Sequence, residues 1–234
     1  MVINTQYLAT VKQYQTAIAE AVRWTHPDYT ASGISRERAK RVEAARAKLR
    51  AAVPAKPDRK GGDPRGAVVS ALAPCTADQV AVTAHAWQKV AARLDAGQSL
   101  HTLVTTADRA TLAAILDGLP TRPEVLEQQD GGAAIVAEVQ ALAFDRLVEL
   151  GDEAAVSAQA QTAILDQADA WSDYLAALAE PGEPSLAVVS ALHRADPEGL
   201  AATRPESPVD AADTAEQVRG LDHLVAVGGI ALNG

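Results

Sequence analysis

Apolar positions in this chain recur at three and four residues far more often than they alternate, so the pattern predicts helices. Tyr7, Val11, Tyr14, Ile18 and Val22 line one face of a first helix over about Thr5–Trp24. His26-Pro27 ends it, because the residue before proline avoids the helical region. The segment 28–33 reads as a turn. Ser35 is placed to cap a second helix running to about Ala52, with a thin stripe of Val42, Ala45, Leu49 and Val53. Residues 54–66 mix Pro and Gly with charge and read as a linker.

Beyond the linker, Thr76-Ala-Asp-Gln79 is a capping box opening a helix with Val80, Ala84, Trp87, Val90 and Leu94 on one face. Thr105 or Thr106 is expected to start a shorter helix through Leu112, Ile115 and Leu116, and Thr121–Glu124 reads as a second capping box. Val136, Val139, Ala143, Leu147 and Leu150 form one stripe. After a short connection, Ala160, Ile164, Ala168, Trp171, Leu175 and Leu178 form another. The short connection predicts an antiparallel helical hairpin over about 133–180. A short helix from Ser185 to Arg194 follows. Asp196–Gly199 reads as a turn and 203–213 as extended.

The expected fold class is therefore mainly α, an extended helical assembly with one antiparallel hairpin and protruding termini. Its expected parts are a helical pair over 1–53, the linker 54–66, a helical body over 67–195 and an extended C-terminal arm over 196–234. In that arm Leu221, Leu224, Val225, Val227, Ile230 and Leu232 are the candidate partner-binding apolar residues. An element closing its own fold is the other reading of this tail.

Composition sharpens the picture. Hydrophobic residues make up 48% of the chain but aromatics only 3%, and much of the apolar content is alanine. Alanine favours helix yet buries little area, so such helices depend on their neighbours. The single cysteine, Cys75, excludes an intramolecular disulfide and a cysteine-built zinc cage. No apolar run approaches the length of a membrane span, and no signal peptide is visible at the N-terminus.

Charge is unevenly distributed. Residues 35–66 carry eleven Lys/Arg against four acids, a net +7, whereas residues 123–234 carry four Arg against twenty Asp/Glu, a net −16. Charge asymmetry of this kind points to a partner surface. The candidate contact residues are Arg36, Arg38, Lys40, Arg41, Arg46, Lys48 and Arg50. They suit an acidic protein, including the acidic half of another copy. They also suit nucleic-acid phosphates, or simply a solvated helix face.

Catalytic motifs do not emerge. The five histidines lack metal-ligand spacing, and no serine sits in a nucleophile elbow. Asp166, Asp169 and Asp173 share a helical face that reads as solvated surface. No enzyme activity, cofactor or metal is expected.

The run His26-Pro-Asp-Tyr-Thr-Ala-Ser-Gly33, followed by the Arg/Ala-rich stretch Arg36–Arg50, resembles the N-terminal part of small virion proteins of actinobacterial tailed phages. There an Ala-rich helix, an x-P-x-Y/L-T-x-x-G turn and an Arg-rich helix recur. The resemblance covers about the first 50 residues. It implies a minor capsid, scaffold-like or connector protein without catalysis, found in the virion and in the host cytoplasm during assembly. The partners it implies are the major capsid or other virion proteins, and a homo-oligomer is expected. The alternative function is a nucleic-acid-associated or regulatory helical protein acting through 35–66.

Overall fold

The computed structural model describes residues 5–59, 62–127, 131–205 and 207–228. Among them the chain is mainly α and contains no strand. Its helices are α1 (Thr5–Arg23), α2 (Ala31–Ala52), α3 (Pro64–Ser70), α4 (Ala77–Asp95), α5 (Leu100–Thr105) and α6 (Arg109–Gly118). After them come α7 (Pro123–Leu126), α8 (Gly132–Glu149), α9 (Glu153–Leu178), α10 (Leu186–Ala195), α11 (Pro197–Ala202) and α12 (Pro208–Ala226). No helix among the described residues is long and apolar enough to cross a membrane.

The chain divides into two units. One is discontinuous, built from Met1–Pro57 and Leu165–Gly234; the other is Asp58–Ile164. The first division falls inside the expected linker. The second falls within α9, where periodicity alone gives no signal of a boundary. The expected helical body over 67–195 is thus split, and residues from Leu165 onward belong with the N-terminal helices.

In the Asp58–Ile164 unit, Val90, Leu103, Val104, Leu112, Ile115, Phe144 and Leu147 form the core. α4 opens with the predicted capping box: Gln79 N–H donates to the Thr76 hydroxyl, and Gln79 Oε1 accepts from Thr76 N–H. α6 starts later than expected, because Asp108, not Thr105 or Thr106, caps it by accepting from Thr111 N–H at 2.8 Å. Those threonines instead end α5. Thr121 makes no box with Glu124: its hydroxyl donates to the Gly118 carbonyl, and Glu124 pairs with Arg122.

α8 and α9 stand where the hairpin was expected, joined by Leu150–Asp152 with Gly151 at a positive φ of 74°. Only the start of α9, through Ala155 and Ala158, joins the α8 cluster of Val139, Ala143 and Leu147. From Ala170 onward its apolar side chains belong to a different cluster. The expected hairpin over 133–180 is therefore corrected: α9 up to Ile164 falls in the same unit as α8, and the rest of it belongs to the other unit.

In the discontinuous unit, Trp171 is fully buried among Val11, Leu49, Tyr174, Leu175 and Leu192, with Tyr7 stacked on it at 5.4 Å. A second cluster joins Ile18, Ala21 and Val22 of α1 to Ala39, Val42 and Ala45 of α2 and Leu221 of α12. α2 begins earlier than the Ser35 cap implied. Thr30 is its N-cap, accepting from Gly33 N–H at 3.2 Å, so the predicted turn ends at Thr30 and Ala31–Gly33 belong to the helix.

The extended C-terminal arm is also corrected. Asp196 caps α11 and Ser207 caps α12, so much of 197–226 is helical. Leu221 is buried and Val225 packs inward; Leu224 and Val227 are exposed. Ile230 and Leu232 lie outside the described residues.

Candidate interaction site

Seven basic residues of 35–50 sit on α2, and the fold divides them by what they touch. At 100° per residue, the buried Ala39, Val42, Ala45 and Leu49 define one face of this helix. Arg46 lies on that face and is almost fully buried, at 4% exposure. Its Nη1 and Nη2 donate to Asp222 Oδ1 and Oδ2 at 2.7 and 2.8 Å. This bond holds the guanidinium protonated more firmly than usual, against the opposing effect of burial. Burial pushes the Tyr14 hydroxyl beside it upward, and Arg46 partly offsets that. Arg46 is therefore a structural cation inside the unit, not a contact for an outside partner. A cation at this position interrupts no apolar repeat, so the sequence pattern left it on the surface.

Arg38, Arg41 and Arg50 are engaged at the edges of α2. Arg38 Nε donates to the Trp24 carbonyl at 2.8 Å. Arg41 pairs with Glu37 at 3.2 Å and lies over the Trp24 ring, 4.9 Å from its centre. Arg50 pairs with Glu43 and reaches Glu180 at 4.0 Å. Trp24, His26 and Tyr29 pack together at the same corner, Tyr29 edge-on to Trp24 at 5.2 Å and His26 stacked at 6.3 Å. Sequence reasoning found no aromatics interleaved with these cations. They come together because α1 and α2 fold back on each other around Pro27.

Arg36, Lys40 and Lys48 remain. They are separated by four and eight residues, so they fall on one stripe, and that stripe lies opposite the buried face. Arg36 and Lys48 are exposed and Lys40 is half-buried. Among the described residues none of the three forms an ion pair.

The acidic half of the chain meets the basic segment within the same unit. Besides Arg46–Asp222, Lys56 pairs with Asp173 at 2.6 Å, which raises the Lys56 pKa through their hydrogen bond. Ser172 Oγ donates to the Pro54 carbonyl at 2.9 Å, so the first residues of the expected linker are fastened to α9. Asp166 and Asp169 also have partners. The charge separation read along the sequence is thus partly consumed by pairing across the fold.

Among the described residues, no group of three His, Cys, Asp or Glu side chains is placed to hold a metal ion. The buried carboxylate of Asp196 has a structural task. Its Oδ2 accepts from Trp171 Nε1 at 3.0 Å and Gln167 Nε2 at 2.8 Å, and its Oδ1 accepts from Gly199 N–H at 2.8 Å.

Fold and site together define a mainly α protein with a row of cations on one helix. No family model, curated protein or solved structure matches the chain.

Proposed function

We propose that this chain is a non-catalytic structural protein of a phage particle, a minor capsid protein that binds an acidic surface on neighbouring virion subunits. The row Arg36, Lys40 and Lys48 on the outer face of α2 carries this reading. The row spans about 18 Å along the helix, long enough to meet several carboxylates at once. Cations of this kind contribute chiefly to encounter rate and orientation, and salt screens them. The N-terminal resemblance to small virion proteins supports the same reading.

The test is incorporation. The chain should co-purify with intact particles or capsomers. A variant carrying Arg36→Glu, Lys40→Glu and Lys48→Glu should be incorporated less while keeping its helix content. If the chain is absent from particles and instead binds DNA steeply at low salt, the nucleic-acid reading replaces this one. If the variant is incorporated as well as the parent chain, the α2 row is not the contact.

A further inference from the structure

α12 lies in a groove formed by α1 and α2. Its Leu221 is buried there, with Val218 and Val225 packed beside it against Ile18, Val22, Ala39 and Val42. Asp222 answers the buried Arg46 in the same groove. Yet α12 fills the groove incompletely. Open clefts of about 390, 410 and 210 Å³ border it, each lined by α12 together with α1 or α2 or both. Among the described residues of α12 only Leu221 is buried, so little of the helix is held.

The chain just before α12 is firmly held. Thr203 is buried, and its carbonyl accepts from Gln15 Nε2 at 2.9 Å. Only Arg204–Ser207 separate this anchor from Pro208, the first residue of α12. A fixed anchor, a four-residue joint and a loosely seated amphipathic helix are the parts that segment exchange between copies requires.

We propose that α12 is an exchangeable arm, and that the α1/α2 groove accepts the α12 of a second copy of this chain in the same seat, giving a reciprocally swapped dimer. The occupant is specified by the groove. It must offer apolar residues in the spacing of Val218, Leu221 and Val225, with a carboxylate next to the middle one to meet Arg46. α12 of another copy has this pattern by construction. Exchange preserves every groove contact and alters only the joint. The inference rests on the α1/α2 groove and is independent of the capsid reading.

Charge reversal tests it. Arg46→Asp places two acids in the groove, and Asp222→Arg places two cations there. Neither chain can seat its own arm or that of an identical copy. Mixed, they restore both ion pairs only by exchanging arms, so native mass spectrometry should show a one-to-one heterodimer that neither chain forms alone. The chain carrying both changes should behave as the parent. Monomers only in the mixture, with the doubly changed chain folded, would overturn the proposal.

If the single variants do not fold, isotope-labelled and unlabelled parent chains are concentrated together. Mixed dimers that disappear when both chains end at Thr203 support exchange. Absence of mixed dimers, or their persistence without the arm, overturns it.

Discussion

The indole of Trp171 donates to the Asp196 carboxylate at 3.0 Å, fixing the most deeply buried aromatic of one unit to the residue that caps α11. Asp196 is itself 1% exposed, and its remaining acceptors are used by Gln167 and the Gly199 amide. Burying a carboxylate is tolerable only because each oxygen is met by donors. Asp196→Ala removes a cap and leaves the indole N–H unpartnered, so it should cost about 2–4 kcal/mol, the combined scale of a lost cap and a buried unsatisfied donor. Urea unfolding followed by tryptophan fluorescence gives this number. A loss near zero would mean that the carboxylate is not holding the unit.

Gly199→Ala should be destabilising although alanine is the better helix former by about 1 kcal/mol. A Cβ at this position would stand 2.3 Å from Asp196 Oδ2. The cap has no room to shift without releasing Trp171. Higher thermal stability of the variant would contradict this arrangement.

The same reversal of sign is expected at Gly118, in the other unit. There a Cβ would stand 2.1 Å from the Trp87 ring, which packs against the last turn of α6. Gly118→Ala should cost about 1–3 kcal/mol through overpacking. Adding Trp87→Leu should recover part of that loss, because the smaller side chain can retreat. If the two changes are simply additive, the ring and the glycine do not share this contact.

Acid should weaken the Asp58–Ile164 unit over a definite range. Arg122 holds the Glu124 carboxyl down at about 2, and hydrogen bonds from Thr111 hold Asp108 below its usual value. A depressed folded-state pKa gives stability that is complete above the unfolded-state value and lost as pH falls through the folded one. For Glu124 that window runs from 4.5 down to about 2. Glu124 is exposed, so the effect should be small and should shrink further with salt. Comparing acid unfolding of the parent chain with Glu124→Gln measures it. Identical pH dependence in the two would exclude a role for this pair.

Much of the helix layout is legible in the sequence, and three of the differences share a cause. Proline reads as a break, yet Asp63-Pro64, Asp196-Pro197 and Ser207-Pro208 are all cap-plus-first-residue pairs that start α3, α11 and α12. The first lay inside the expected linker and the last inside the expected arm. Periodicity correctly located α8 and α9 but not their partners, because a stripe of apolar residues does not specify which surface covers it. In the candidate site, Arg36 and Lys48 are exposed and Lys40 is half-buried. Arg46 escaped detection because its counterion, Asp222, lies 176 residues away.

Arg46 is buried and paired inside the fold, whereas Arg36, Lys40 and Lys48 form no ion pair among the described residues. Equilibrium urea unfolding of two variants tests this most directly. Arg46→Ala strands Asp222 and should lose about 3 kcal/mol, the low end for a broken buried pair because Asp222 keeps some contact with water. The combined change Arg36→Glu, Lys40→Glu and Lys48→Glu reverses charges that make no ion pair in the fold, so it should shift stability by no more than about 1 kcal/mol. A large loss from the triple change, with little from Arg46→Ala, would contradict the account.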